Sequence, residues 1–358
     1  MRTVHSMFAP SLALTMWLGA VGCTAAMPGA PPQHVPATVT ALSAGLPWAQ
    51  TLDASPTFTP DGNTAVFSRG TGLARRLCIT HRRDGRWSTP KRAPFSGPWM
   101  DLEPAMAPDG SYLVFVSNRP ATAGGKALDG YFGGKPRPGR GGNLWRVERL
   151  ADGWGTPVRL PELVNASSAT YAPAVAADGS LYFMRPDPHT GHFRLYRSTL
   201  IHGRFAPPQP LPFSDGLASD VDPAVAPDQS FLVFSSNRAP TPAGEGDLFV
   251  AFATAKGWGP AIHLGLSGDE ARLDPRLAWL YFTAADNRMH RLPIARWLAQ
   301  HAPRQCAGPR SSRAAPNGLP ERDGKAVIAH LPALSPISTT PAHCVDERSA
   351  PDAARQRG

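Results

Sequence analysis

Short apolar runs recur along the chain, each entered through a polar turn. "DGNTAVFSR" from Asp61, "DGSYLVFVSNR" from Asp109 and "DGSLYFMR" from Asp178 each place β-branched and aromatic residues directly after Asp-Gly. A strand with small apolar alternation precedes each turn, so each stretch predicts a β-hairpin rather than a helix. Gly62, Gly110 and Gly179 fit turn positions that require a positive φ.

Aligned on these hairpins, the sequence repeats five times. The copies are "SPTFTPDGNTAVFSR" from Ser55, "EPAMAPDGSYLVFVSNR" from Glu103, "APAVAADGSLYFMR" from Ala172, "DPAVAPDQSFLVFSSNR" from Asp222 and a worn "DPRLAWLYFTAADNR" from Asp274. Their aromatic anchors, Phe67, Phe115, Phe183, Phe234 and Phe282, are 48, 68, 51 and 48 residues apart, a propeller-blade period. A weaker repeat follows each of the first four hairpins, marked by Trp87, Trp154, Phe205 and Trp258, with a Pro suited to an edge strand. With a third strand between hairpin and aromatic, as in "NLWRVERL" from Asn143, each unit supplies four antiparallel strands. The predicted fold is all-β, a β-propeller of four-stranded antiparallel blades with five repeats, five- or six-bladed. The fifth unit lacks an outermost strand, and the segment 37–52 is expected to close the ring by supplying it.

The Pro-Asp-Gly turns, the Phe-to-Ser endings at Phe67–Ser68 and Phe234–Ser236, and the "SNR" at Ser117 and Ser236 resemble the WD40-like PD40 repeat family, which includes the TolB-like propeller domain. The resemblance covers about residues 51–296 and implies architecture. It names no function, because propellers host binding modules, scaffolds and enzymes alike.

Composition agrees: 34 Gly and 40 Pro among 358 residues describe many short elements and turns. The net charge of +9 invites nucleic acid, but the Arg residues are scattered and no nucleic-acid-binding motif accompanies them, so no such partner is expected. Residues 1–23 read as a signal peptide, with an apolar run from Met7 to Gly22 behind Arg2. It ends in Ala20-Val21-Gly22-Cys23, which resembles a bacterial lipobox and makes Cys23 the candidate lipidation and membrane-attachment site. Residues 24–36 read as a flexible tether, 37–296 as the propeller, and 297–358 as a Pro/Arg-rich, mostly disordered tail. Cys78 reads as a small buried hydrophobe, and Cys306 and Cys344 are free to pair in an oxidising compartment.

Candidate chemistry gathers where the inner strands begin. Asp53, Asp101, Glu103, Asp220, Asp222 and Asp274 are candidates for a channel mouth, where several carboxylates round one axis would attract a cation or basic peptide. The competing reading pairs such acids with Arg119, Arg238 and Arg288 as inter-blade locks. The insertion from Pro120 to Asn143 adds a second candidate surface, with Lys126, Tyr131, Phe132, Lys135, Arg137 and Arg140 in a Gly-rich loop. His189 and His192 have metal-compatible spacing but no evident third ligand, so no metal and no cofactor is predicted. The expectation is an exported periplasmic or outer-membrane lipoprotein, a non-catalytic binding or scaffolding propeller of the cell envelope. It would engage an envelope protein or polysaccharide through the channel mouth or the 120–143 loop. The alternative is a carbohydrate-active hydrolase or lyase using channel carboxylates, which requires a deep pocket in which two of Asp101, Glu103, Asp220, Asp222 and Asp274 sit close together without Arg partners, at least one with a perturbed pKa.

Overall fold

Five antiparallel sheets succeed one another in the computed structural model, which describes residues 40–41, 46–50, 52–295 and 298. The leader with Cys23, the 24–36 tether and all of the 297–358 tail except Leu298 lie outside the described residues. Blade one is built from Asp53–Phe58, Thr64–Arg69, Arg76–Arg83 and Lys91–Arg92, and blade two from Asp101–Met106, Tyr112–Ser117, Asn143–Leu150 and Val158–Arg159. Blade three comprises Tyr171–Val175, Leu181–Pro186, Phe193–Ser198 and Gln209–Pro210, and blade four Asp220–Val225, Phe231–Ser236, Asp247–Thr254 and Ile262–Ser267. Blade five has three strands of its own, Asp269–Leu273, Trp279–Thr283 and Met289–Pro293. Its fourth is Thr40–Ala41 from the N-terminal side, with Thr40 opposite Arg291 and Ala41 opposite His290. The ring therefore closes with five blades, the last one completed by Thr40–Ala41, the first strand among the described residues.

The aromatic anchors are the reason the blades pack. Phe67, Phe115, Phe183, Phe234 and Phe282 lie in the second strand of successive blades and all are buried. The aromatics of the weaker repeat wedge against neighbours: Trp87 meets Trp48 edge-on at 4.6 Å, Trp154 meets Phe95 at 4.9 Å, and Trp258 meets Tyr182 of the preceding blade at 6.1 Å.

Turn chemistry follows the repeat, with an informative exception. Gly62, Gly110 and Gly179 have φ of +70°, +74° and +78°, and Gln229 occupies the same turn position in blade four at +60°. Its amide compensates for the missing Gly: Tyr182 donates to Gln229 Oε1 at 2.8 Å, and Gln229 Nε2 donates to Asp178 at 2.9 Å, tying blade four to blade three. Cys78 is fully buried, as its strand pattern requires, and it is disulfide-bonded to a partner outside the described residues.

Candidate functional site

In each blade the start of the inner strand, the loop between the second and third strands, and the incoming linker lie on one face. The hairpin turns lie on the opposite face. Three of the acids predicted for that face are closed into clamps. Arg69 Nε and Nη2 donate to the two oxygens of Asp53 at 2.7 and 2.8 Å; Arg119 Nη2 donates to Asp101 at 3.0 Å; Arg238 Nη2 donates to Asp220 at 2.6 Å. Each guanidinium also donates to a carbonyl of the incoming linker, Pro47, Phe95 or Phe213. Each lies about 5 Å from the anchor phenylalanine of its blade. The clamps thus fasten an inner strand to its own second strand and linker, and are not inter-blade locks. Burial pushes the three carboxyls up, while the guanidinium and nearby hydroxyl or amide groups pull them back. Arg69 is a clamp residue the "SNR" pattern misses, because it follows its phenylalanine by two positions instead of four.

Glu103 and Asp222 behave differently. All five inner strands break register at one position, where a non-glycine residue takes a positive φ: Ser55 (52°), Glu103 (52°), Ala172 (48°), Asp222 (54°) and Glu270 (54°). Such a bulge re-aims the side chain, and five in register point one residue per blade at the axis. There Glu103 Oε2 accepts the N–H of Ala172 at 2.6 Å and Asp222 Oδ2 accepts the N–H of Glu270 at 3.0 Å, so each carboxylate bonds the bulge of the following blade. These two bonds tie blade to blade at the axis. Glu103 and Asp222 belong to non-adjacent blades, yet they repel one another, which side chains from blades two and four can do strongly only near the axis. Burial, then Asp222, pushes Glu103 up to about 8 against the pull of Arg272. Burial pushes Asp222 up to about 6, with Arg272 pulling it down and Glu270 raising it. Asp269, partly exposed by surface area but hemmed in by protein atoms, is also held well above the usual carboxylate range, first by burial and then by Glu270 and Asp222. At the rim Arg75 of blade one reaches Glu270 of blade five at 3.5 Å, across the closure.

Two expected residues are elsewhere. The inner strand of blade five is Asp269–Leu273, so Asp274-Pro275 is the hairpin turn that follows it, on the face opposite the mouth. Asp274 caps that turn, accepting the N–H of Trp279 at 2.7 Å. Asp274→Ala should therefore cost about 1 kcal/mol in denaturant melts and leave any ligand affinity unchanged. Arg288 is an exposed loop residue and no lock; its backbone N–H donates to Asp286. Among the described residues no group of three or more His, Cys, Asp or Glu is placed to hold a metal ion, and the His192 ring instead meets Ser219 at 3.3 Å.

The 120–143 insertion is an ordered part of the mouth face. Gly130–Phe132 pairs with Lys135–Arg137 as a hairpin, and Phe132 packs against Tyr171 and Phe193 of blade three at 6.1 and 6.0 Å. Tyr171 donates its hydroxyl to the carbonyl of Arg140, and Gly139 lies against Leu73 of blade one. Arg137 stacks on Phe132 at 5.1 Å, whereas Lys126, Tyr131, Lys135 and Arg140 face solvent. Four large apolar side chains are exposed on this face: Leu73, Tyr131 (61%), Leu163 and Leu217 (79%). Beside Leu217 a depression of about 350 Å³ is lined by His192, Asp215, Ala218, Asn237, Arg238 and Ala239.

No family model and no curated protein matches the chain. Solved propellers are similar in fold. TolB from Acinetobacter baumannii is 16% identical over 68% of this chain and 44% of its own length, with a TM-score of 0.35. A protein described as TolB from Agrobacterium tumefaciens is 15% identical over 64% and 69%, TM-score 0.42, and a gluconolactonase from Xanthomonas campestris is 17% identical over 69% and 77%, TM-score 0.40. This chain spans less than half the length of the Acinetobacter protein. The chain is a five-bladed propeller, and these likenesses concern the fold alone.

Proposed function

We propose that this chain is a PD40-type binding propeller of the bacterial cell envelope, exported by its N-terminal segment, which docks a partner protein on its mouth face. The observation that carries the reading is the 120–143 hairpin. An excursion from the repeat is folded, pinned from beneath by Phe132, and carries an exposed Tyr131 together with exposed Lys126, Lys135 and Arg140. An exposed aromatic on an ordered loop that also carries three exposed cations suits an acidic protein surface. The disulfide at Cys78 suits an oxidising compartment, as does the apolar leader ending at Cys23, the proposed lipid attachment point.

The carbohydrate-active alternative draws on Glu103 and Asp222, two neighbouring acids with raised pKa values and no arginine hydrogen-bonded to them. Each is tied to a backbone N–H of the next blade, and the depressions of about 350 and 330 Å³ are lined by other residues. Binding on the outer rim therefore uses the exposed chemistry better than hydrolysis at the axis does.

The test is site-specific photo-cross-linking in the exporting bacterium. A photoreactive residue at position 131 should give one discrete protein adduct, lost when Lys135→Glu and Arg140→Glu are combined, while the same probe at Ile201 on the opposite face gives none. Equal labelling at both positions, or an adduct indifferent to the charge reversals, would remove the mouth face from consideration.

A further inference from the structure

Arg272 is the buried cation of the axial group, and half of its guanidinium is unused. It leaves the inner strand of blade five just past the bulge, at the register position that Thr57, Ala105, Ala174 and Ala224 hold in the other blades. There Ala105 and Ala224 sit in the apolar core and Thr57 accepts the N–H of Met106 in the next blade at 2.9 Å, so Arg272 is the one long charged side chain of the set. Arg272 is only 5% exposed; Nη1 donates to the carbonyl of Ala271 at 2.7 Å, and Nε and Nη2 have no partner. Nε and Nη2 form one edge of the planar group. The same edge in Arg69 and in Arg238 clasps both oxygens of an aspartate.

The surrounding acids do not fill that edge. Glu103 and Asp222 bond the backbone of the next blade, and Glu270 accepts from Thr283 Oγ1 at 3.1 Å and pairs with Arg75. On the adjoining blade Ser55 Oγ, at the axial bulge position, is likewise buried without a partner. A buried guanidinium edge left without an acceptor is costly, and the fold keeps one at its centre.

We infer that the axial channel binds a carboxylate-bearing ligand, whose two oxygens take the Nε and Nη2 edge of Arg272 beside the free hydroxyl of Ser55. The carboxyl of Glu103, pushed up to about 8 by burial and by Asp222, spares an entering anion part of the repulsion that ionised neighbours would impose. This site is independent of the rim: a partner can dock on Tyr131 with the axis empty, and the axis can fill with no partner present.

Full-chain protein is titrated at pH 6.5 and constant ionic strength with acetate, and with acetamide and chloride as controls, followed by melting temperature and calorimetry. Acetate should raise the melting temperature saturably where acetamide and chloride do not. Arg272→Lys, which keeps the charge but loses the planar fork, should weaken acetate on the order of tenfold or more. A tripeptide with a free C-terminal carboxylate, compared with its amide, separates the sources: binding of the acid form points to a partner's chain end, and binding of acetate alone to a free small acid. Lack of a saturable acetate effect in the unsubstituted protein overturns the inference whether or not Arg272→Lys folds. An equal acetate effect in the folded Arg272→Lys variant overturns it as well.

Discussion

Glu103→Gln is expected to stabilise the propeller by on the order of 4 kcal/mol at pH 8.5 and by less than about 1 kcal/mol at pH 5. Glu103 is buried, and burial with the charge of Asp222 holds its folded-state pKa near 8, above the 4.5 of an exposed glutamate. A group whose pKa rises on folding contributes stability that is complete below its unfolded value and is lost as the pH climbs through its folded value. The loss therefore falls between about pH 4.5 and 8, and Asp222, raised to about 6, steepens its lower half. Gln cannot ionise, yet its side-chain oxygen can still accept the N–H of Ala172. Melting temperatures measured every half unit from pH 4.5 to 9 should converge at the acidic end and diverge at the alkaline end. Parallel curves would mean that Glu103 is ionised in the fold.

Much of the architecture was legible because each blade must bury one aromatic and turn one hairpin. Asp-Gly turns and the phenylalanine spacing report both demands, and the unpaired edge of the fifth unit explains why Thr40–Ala41 joins it. The axial group was only half legible. Glu103 and Asp222 sit before a proline, a visible mark, whereas blade five has Ala271 there, and Asp274-Pro275 downstream imitates the missing motif. That imitation displaced the fifth copy by one turn and concealed Asp269, Glu270 and Arg272. A positive φ at Glu103 or Asp222 has no signature either, since neither Gly nor Asn marks it. Blade length does mark the fifth inner strand. In the other copies the anchor phenylalanine follows the axial residue by 12, 12, 11 and 12 positions, which from Phe282 leads back to Glu270.

The same ring separates two uses of acidic residues that one sequence pattern merges. In Asp-x-Glu-Pro and Asp-x-Asp-Pro the first acid turns outward to an arginine of its own blade and the second turns inward to the next blade. The bulge at the second acid causes the division, because the positive φ there re-aims its side chain. Outward acids fasten the blade to its linker, and inward acids join blades and set the charge of the axis.

Asp220→Ala should accordingly be the most damaging single substitution among the clamp acids, costing about 3–5 kcal/mol. The Asp220 side chain is fully buried and accepts from Ser214 Oγ at 2.6 Å, Ser236 Oγ at 2.7 Å and both Nε and Nη2 of Arg238. Alanine would strand that guanidinium beside Phe234 and Phe249 and leave two buried hydroxyls without acceptors. Removing both charges in Asp220→Ala/Arg238→Met should restore a large part of the loss, since the stranded cation is the main penalty. The exposed pair Arg146–Glu148, at 2.6 Å just as short, should yield less than about 1 kcal/mol when Glu148 is replaced by Ala, because solvent screens it. Urea denaturation of the two single variants and the double variant closes the cycle. Additive losses at Asp220 and Arg238 would mean that the clamp is held by packing on the phenylalanines, with the ion pair incidental to it.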